Sequence, residues 1–227
     1  MFSIDHLVVP EPNRWHFPDV DDMPSDDDLV AIGADLEPGT VLGAYAAGCF
    51  PMPINRRHIG WFCPDPRGVL QPDKLRVTRS LRQSMKRYDV TVNRAFDEVL
   101  SACADPSRPM GWIDQRIRRA YTTLNRMGWV HSVEVWDEDG LAGGLYGVAI
   151  GPLFAGESMF HRRRDASKVA LAHLVDLVGG EPDALIDVQW LTPHLASLGA
   201  ENRSRADYLD YVHRALADGP SPPGTAT

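Results

Sequence analysis

The sequence predicts an α+β fold, and three stretches carry this prediction. Residues 131–150 show a hairpin pattern, because Val133 and Val135 alternate with Ser132 and Glu134, and Gly140 suits a turn. The returning strand, 141–150, is almost entirely apolar or glycine, which is typical of a strand covered on both faces. An apolar helical pattern and a further strand pattern follow, over 166–178 and 184–190. The chain therefore mixes strands and helices.

Composition restricts the classes of function. The chain has 227 residues, enough for one large domain or two unequal ones, and 44% of them are hydrophobic. A formal net charge of −8 argues against a wholly basic nucleic-acid binder, although it allows a local basic surface. The three cysteines lack CxxC or metal-ligand spacing, and no signal peptide or membrane-spanning run is recognisable. We expect a cytoplasmic monomer with free thiols, no metal ion and no membrane contact.

The first part of the chain is rich in proline and aspartate. Its acidic run predicts a solvated surface, although interspersed apolar residues predict that the segment docks on a core. Residues 24–28 predict a helix start with Ser25 as N-cap, and a second short helix is predicted from Pro38 to Ala47, ending at Gly48. Residues 49–53 contain two prolines, which predict an apolar turn that is neither helix nor strand.

A basic cluster lies at residues 74–87. If Thr78 caps a helix there, one helical face carries Arg79, Arg82 and Lys86. The default interpretation of such a face is simple solvation, and the alternative is a surface that holds a phosphate backbone. The segment also suits a joint between two domains.

Residues 88–128 predict a strand and two helices. The strand covers 88–93, and a short helix covers 96–103. A longer helix opens at 112–114, with Asp114 in its first turn, and ends at Gly128. The 3.6-residue period places Ile117, Tyr121 and Leu124 on one face of this helix.

Glu157 is the anomaly in a third short strand that begins at Leu153. A carboxylate within such an apolar run needs a partner, because an unpaired buried charge costs several kcal/mol. Two interpretations stay open at this point. Glu157 is either a structurally satisfied carboxylate or a ligand-binding one.

The C-terminal part places two further polar groups in apolar surroundings. Three arginines, at 162–164, precede a helix for which Asp165 is the predicted N-cap, and they suit either a phosphate site or a solvated loop. In the strand 184–190, Asp187 and Gln189 project from one face, either as a hydrogen-bonded core pair or as a site. A short helix near 192–200 and a final helix at 205–216 follow, and the tail, 218–227, is predicted to be disordered.

Several motifs together resemble one family. They are FPMP at 50–53, WFCPDPRGVL at 61–70, WI at 112–113, HSVEVW at 131–136, GGLYGVA at 143–149, LFAGESMF at 153–160, ASK at 166–168, LIDVQ at 185–189 and HLASLGA at 194–200. The chain thereby resembles the leucyl/phenylalanyl-tRNA–protein transferase family over nearly its whole length. The resemblance implies a small N-terminal domain, 1–76, and a GNAT-like acyltransferase domain, 77–217.

The resemblance also implies the reaction. Members move Leu or Phe, with Met as a further substrate, from aminoacyl-tRNA to the free N-terminal amine of proteins that begin with Arg or Lys, which marks those proteins for N-degron proteolysis. No cofactor is implied, and acetyl-CoA is not used. The loop between Met159 and Ala166 agrees, because it has no glycines to bring main-chain N–H groups around a pyrophosphate.

Site residues are carried over from the same resemblance. Asp187 and Gln189 are implied as catalytic, with the carboxylate polarising the amide and the amide orienting the attacking amine. Substrate contacts are implied for Glu157, Trp112, Tyr121 and Phe62, and for a side-chain pocket of Leu145, Phe154, Met159, Leu171 and Ile186. Phosphate contacts to tRNA are expected from Arg76, Arg79, Arg82, Lys86 and Arg162.

Two departures and three rivals qualify this assignment. Phe62 stands where the family usually has a second Trp, which removes an indole N–H donor, and Leu145 stands where Met is frequent. The rival functions are a CoA-dependent GNAT acyltransferase, a non-catalytic RNA-binding module and an aminoacyl-tRNA-dependent peptidoglycan transferase. The first lacks its glycine-rich loop here, and the third needs a longer chain.

Overall fold

The computed structural model describes residues 7–107 and 111–217, and its elements confirm the α+β prediction. The helices are α1 (Pro38–Ala46), α2 (Arg79–Met85), α3 (Phe96–Cys103), α4 (Gln115–Arg126), α5 (Ala166–Val178), α6 (Pro193–Ser197) and α7 (Arg205–Ala217). The strands are β1 (Leu29–Ile32), β2 (Phe50–Pro53), β3 (Ile59–Phe62), β4 (Arg67–Leu70), β5 (Asp89–Val92), β6 (Val130–Asp137), β7 (Gly140–Ile150), β8 (Leu153–His161), β9 (Leu185–Gln189) and β10 (Glu201–Arg203). Short 3₁₀ turns cover Val20–Asp22 and Pro72–Lys74.

The strands form two sheets. The small sheet has three strands in the order β1-β3-β2, and the large sheet has seven in the order β10-β4-β9-β8-β7-β6-β5. Within the large sheet β8 and β9 are parallel, and the other neighbours are antiparallel. The pairing of β8 with β9 ends at Ala155↔Asp187, although β8 continues to His161. The second half of β8 therefore separates from β9, and a gap opens in the sheet.

Strand β7 confirms the prediction that it is covered on both faces. Leu145 belongs to the buried cluster that contains α5, whereas the adjacent Tyr146 belongs to the cluster that contains α3 and α4. This alternation is what a period of two residues produces in a strand between two helical layers. The turn after β6 and the long apolar return strand also match the predicted hairpin.

Several predicted helix boundaries are confirmed. Helix α1 ends just before Gly48, which has a φ of +74° and so suits the left-handed end of a helix. Helix α2 begins after Thr78, whose side chain accepts a hydrogen bond from Leu81 N. The strand β5 and the helix α3 lie where the sequence places them.

The predicted helix start at residues 24–28 is wrong, because the chain enters β1 instead. The Arg205 side chain donates to the carbonyl oxygens of Pro24 and Asp27, at 2.6 and 3.0 Å, which fixes the segment in a non-helical conformation. The Asp27 carboxylate accepts from Leu29 N at 2.9 Å, and β1 then pairs with β3. A tertiary contact from the far end of the chain therefore overrides the local capping pattern.

The prediction that residues 49–53 are neither helix nor strand is also wrong. Residues Phe50–Pro53 form β2, which pairs with β3 in register from Phe50↔Phe62 to Pro53↔Ile59. Proline lacks a main-chain N–H, so it disrupts central strands. Strand β2 is an edge of the small sheet, where prolines are tolerated.

Two aspartates occupy helix starts differently from the prediction. Asp114 is the N-cap of α4 rather than a first-turn residue, and it accepts from Arg116 N and Ile117 N. Asp165 lies at the N-cap position of α5, but its side chain forms no capping hydrogen bond. It accepts instead from Ser84 and Lys168, so it ties α2 to α5.

The predicted division into two domains stays a prediction. Strand β4, which precedes the predicted boundary after residue 76, pairs with β9 and β10 in the large sheet. The predicted disordered tail, 218–227, lies outside the described residues. Across 7–107 and 111–217, no helix combines the length and apolar character needed to cross a membrane.

Candidate active site

Asp187 of β9 forms an ion pair with Arg67 of the neighbouring strand β4, and both side chains are fully buried. Arg67 Nε donates to Asp187 Oδ1 at 2.8 Å and Nη2 donates to Oδ2 at 2.6 Å, which makes the pair bidentate. The hydroxyl of Tyr208 on α7 donates to Oδ2 at 2.9 Å. Burial lowers the pKa of Arg67, but attraction to Asp187 outweighs this effect and raises the pKa above its usual range.

Gln189 ends β9 in an unusual backbone conformation. Its φ is +59°, in the left-handed region, and the register between β4 and β9 shifts beside it. Its main-chain N–H donates to Asp187 Oδ1 at 2.9 Å. The side-chain Nε2 donates to Glu157 Oε1 at 3.5 Å. Asp187 therefore holds Gln189 through the main chain, while the Gln189 amide reaches Glu157.

Glu157 lies on the part of β8 that has separated from β9. The hydroxyl of Tyr45 on α1 donates to Oε1 at 2.5 Å, and that of Tyr121 on α4 donates to Oε2 at 3.0 Å. The two hydroxyl oxygens are 2.6 Å apart. Burial raises the pKa of Glu157 to about 7, although the two hydroxyl donors lower it. The carboxyl group therefore exchanges a proton near neutral pH.

An apolar cavity of ≈ 150 Å³ opens beside Glu157 and Gln189. Four of the five predicted pocket residues line it, together with other apolar side chains of β9, α5 and α6. The apolar lining residues are Leu145, Met159, Leu171, Leu174, Ile186, Val188 and Leu195. Phe154 is not among the described lining residues, and it lies buried in the same apolar cluster. The cavity thus has apolar walls and one polar end.

Two family models match the chain. The model described as "Leucyl/phenylalanyl-tRNA protein transferase" matches residues 69–213, and the model of the N-terminal domain of the same family matches 34–65. The chain belongs to this family. It is therefore an aminoacyltransferase, and the CoA-dependent and non-catalytic rivals fall away.

Relatives in the leucyl/phenylalanyl-tRNA protein transferase family match most of the chain. The leucyl/phenylalanyl-tRNA–protein transferase of Aromatoleum aromaticum is 46% identical over 92% of this chain and 90% of its own length. That of Pseudomonas fluorescens is 48% identical over 83% of this chain and 85% of its own. Among solved structures, a GCN5-related N-acetyltransferase from Kribbella flavida is 14% identical with a TM-score of 0.38, covering 74% of this chain and 61% of that one. A structural likeness of this degree carries no argument about substrates.

The predicted aromatic contacts of this transferase-family chain lie in different environments. Phe62 is half-buried beside Phe50 and Trp190, with ring centroids 6.1 Å away in each case. Trp112 is half-buried just before α4. Tyr121 is 0% exposed, so its ring offers no open face to a base, and its hydroxyl acts on Glu157 instead.

The predicted phosphate contacts are exposed. Four of these basic residues lie on or beside α2: Arg76, Arg79, Arg82 and Lys86. Arg162 is also exposed, with Nη1 donating to Leu141 O at 3.1 Å. Its neighbour Arg163 forms ion pairs with Asp137 and Asp139, which favours the solvated-loop interpretation for that arginine.

Three side chains that hold the site were not singled out from the sequence: Arg67, Tyr45 and Tyr208. The only signal for Arg67 was a cation within an otherwise apolar stretch, GVL at 68–70, directly after it. Such a residue needs an anionic partner when its strand is buried, and nothing in the sequence identifies Asp187 as that partner. Neither tyrosine gives a comparable signal, because Tyr suits any partly apolar helix.

Proposed function

We propose that this chain transfers Leu or Phe, with Met as a further donor, from aminoacyl-tRNA to the free α-amine of proteins that begin with Arg or Lys. The observation that carries the proposal is the cavity with apolar walls and a polar end formed by Glu157 and Gln189. The product marks its carrier for N-degron proteolysis in the cytoplasm. The chain acts as a monomer, with residues 1–76 as a small N-terminal domain.

The cavity suits the side chain of the transferred amino acid. An apolar protein cavity of about 150 Å³ is large enough for a benzene ring. The observed cavity, ≈ 150 Å³, therefore suits either a leucyl or a phenylalanyl side chain. Met159 in its wall is flexible and polarisable, which favours a pocket that accepts both branched and aromatic groups.

The reaction exchanges an ester for an amide. The neutral α-amine of the acceptor attacks the carbonyl carbon of the aminoacyl ester and forms a tetrahedral oxyanion. The C–O bond to the tRNA ribose then breaks, the ribose oxygen takes a proton, and a peptide bond remains. Because an ammonium ion is not nucleophilic, the amine must lose a proton before or during attack.

Glu157 and Gln189 are suited to handle the amine. The carboxylate form of Glu157 accepts a proton near neutral pH, because its pKa is about 7. The amide of Gln189 lies next to it, with Nε2 3.5 Å from Glu157 Oε1, and the amide oxygen is an acceptor that orients an amine. Asp187 contributes by fixing the Gln189 main chain.

Exposed basic residues provide the surface for tRNA. Phosphate contacts from Arg79, Arg82 and Lys86 on one side of α2, with Arg76 and Arg162 nearby, bind tRNA without reading its sequence. Phe62 and Trp112 supply apolar contacts for the terminal adenosine, since base stacking contributes about 1–3 kcal/mol per base.

The test is transfer of labelled Leu from leucyl-tRNA to a peptide with N-terminal Arg, next to the same peptide acetylated at its N-terminus. We expect transfer only to the free amine, and none after ribonuclease treatment of the donor. Equal labelling of the acetylated peptide, or no labelling of either Arg or Lys peptides, would contradict the proposal. Gln189→Ala should lower turnover, and wild-type turnover at saturating substrate would remove Gln189 from the mechanism.

A further inference from the structure

Arg67 makes contacts that reach well beyond its ion pair. Its third donor, Nη1, binds the main-chain oxygen of Gly48 at 2.9 Å. The guanidinium carbon lies 4.9 Å from the ring centroid of Phe50 and 4.4 Å from that of Tyr208. The group is therefore fixed by hydrogen bonds in its plane and by aromatic rings.

The carboxylate of Asp187 has its acceptor positions filled by the protein. Oδ1 accepts from Arg67 Nε and from Gln189 N, and Oδ2 accepts from Arg67 Nη2 and from the Tyr208 hydroxyl. A carboxylate offers about four lone-pair positions. Four donors occupy them here, so Asp187 has no free position for a substrate.

We infer that Arg67 is a positioning residue of the transfer reaction, which acts by fixing Asp187 and thereby the backbone of Gln189. The inference rests on the proposed function. In the left-handed conformation, a residue with a side chain is strained unless its surroundings hold it. The hydrogen bond from Gln189 N to Asp187 supplies that restraint, and the Gln189 amide then points at Glu157.

The same guanidinium connects the two elements, β9 and α1, that hold the polar end of the cavity. Gly48 lies one residue beyond Ala47, the C-cap of α1, and Tyr45 of that helix donates to Glu157. Arg67 thus binds β9 through Asp187 and the end of α1 through Gly48. A lysine at this position has one nitrogen, so it cannot bridge both carboxylate oxygens and also reach Gly48 in the same fixed plane.

The test compares Arg67→Lys and Arg67→Met with Arg205→Lys. Arg205 is a suitable control because it is also a buried arginine that binds main-chain oxygens. Its acceptors are the oxygens of Pro24 and Asp27 rather than that of Gly48. We expect Arg67→Lys to lower kcat about 10- to 100-fold per folded molecule, with KM for leucyl-tRNA changed less than about threefold. Arg205→Lys should lower thermal stability without this loss in kcat.

The double variant separates positioning from stability. In Arg67→Met the buried carboxylate of Asp187 loses its cation, which lowers stability and kcat together. Arg67→Lys retains a cation, so it should stay folded while kcat falls. If Arg67→Met does not fold, Arg67→Met combined with Asp187→Asn removes both charges, and it should fold with low kcat.

Hydrogen exchange gives a readout that does not depend on transfer. We expect the main-chain N–H of Gln189 to exchange its hydrogen at least about tenfold faster in Arg67→Lys than in wild type or Arg205→Lys. The proteins are compared under conditions that give them equal free energies of unfolding. Unchanged exchange, or a wild-type kcat in Arg67→Lys, overturns the inference. If wild type fails to transfer Leu at all, the proposed function fails, whereas the exchange result still decides whether Arg67 holds Gln189.

Discussion

Glu157 combines three properties that rarely occur together at a structural position. Its carboxyl group is held by two tyrosine hydroxyls, lies beside a glutamine amide and borders an apolar cavity. The hydrogen-bond donors are neutral, and the charge of Arg67, which favours ionisation of Glu157, is opposed by that of Asp187. A carboxyl group in these surroundings is poised to change its protonation state.

The pH dependence of transfer should follow Glu157. Because its pKa is about 7 and the carboxylate is the proton acceptor, loss of the Glu157 proton should raise kcat/KM roughly tenfold per pH unit below pH 7. The acceptor amine adds its own rise as it loses a proton near about pH 8. Glu157→Gln should lower kcat/KM at pH 8 by about 100-fold and leave only the dependence of the amine. The measurement is the rate of Leu transfer between pH 5.5 and 8.5, and a profile unchanged in the variant would rule out Glu157 as the acceptor.

Stability provides an independent check on the same group. The pKa of Glu157 is raised from its ordinary value of 4.5 to about 7 in the folded protein, so the folded state binds this proton more tightly. This contribution is fully present below pH 4.5 and is lost as pH rises through 7. Glu157→Gln should therefore be more stable than wild type at pH 8, by about 1 kcal/mol or more, and the difference should shrink toward pH 5. Thermal denaturation of both proteins across this pH range measures the difference, and a gap that does not change with pH would contradict the raised pKa.

Side chains of the site differ in how readily they can be found from the sequence. Glu157, Asp187 and Gln189 stand out because they are polar within apolar strands. Arg67 lies 120 residues from Asp187 in the chain, and Tyr45 lies 112 residues from Glu157. Local pattern carries no information about pairs so far apart, so these contacts emerge only when the sheet assembles.

At the scale of elements, the site depends on an irregularity between β7 and β8. The register shifts between Tyr146 and Gly147, opposite Ser158 and Gly156. A Cβ atom at Gly147 would lie 2.2 Å from Ala155 O and 2.4 Å from the Phe154 ring. The two strands therefore approach each other closely here, just before β8 separates from β9.

Gly147→Ala should test how much this close approach matters. We expect a loss of about 1–3 kcal/mol in the free energy of unfolding, because the new Cβ meets a main-chain oxygen, that of Ala155, which cannot swing aside as a flexible side chain can. Gly180→Ala is the matched control, since a Cβ there meets nothing within 4 Å. Urea denaturation measures both, and equal midpoints would show that β7 and β8 relax freely.

Under the proposed function, the wall of the cavity on β8 is the element that should limit the size of the donor's side chain. Met159→Trp should reduce Phe transfer more than Leu transfer, by about tenfold in the ratio of kcat/KM values, because the larger side chain fills the ≈ 150 Å³ cavity. Met127→Trp, a half-buried position outside that wall, should leave the ratio unchanged. Competition between labelled leucyl- and phenylalanyl-tRNA measures the ratio directly, and equal losses would count against the pocket.

Elements with strong periodicity were predictable, and those that depend on partners were not. The apolar β7, the helix α5 and the capped helix α2 follow from patterns within each segment. Residues Phe50–Pro53 contain two prolines, and they form the strand β2 only because β3 pairs with them along one edge. The segment before β1 is held in a non-helical conformation by Arg205, which binds its carbonyl groups.

At the scale of the whole molecule, charge is unevenly distributed. The net charge of −8 would repel a polyanion, yet exposed cations concentrate on and beside α2. Under the proposed function, the basic surface would attract tRNA in a defined orientation, and the acidic remainder would attract cationic protein N-termini. The composition predicted the acidic character, and the spacing of Arg79, Arg82 and Lys86 predicted one basic helical face, whereas the exposure of these side chains required the fold.

Reversing charge on this surface should weaken tRNA binding in a salt-dependent way. Arg79→Glu and Arg82→Glu should each raise the Kd for tRNA about 3- to 10-fold at low salt. Each should also lower the slope of log Kd against log salt by about 1, because one phosphate contact and its released counterion are lost. Arg214→Glu, an exposed arginine on α7, makes the same change in net charge and should leave the slope unaltered. If all three variants lose affinity equally, net charge alone governs binding and α2 is not the surface that holds the tRNA.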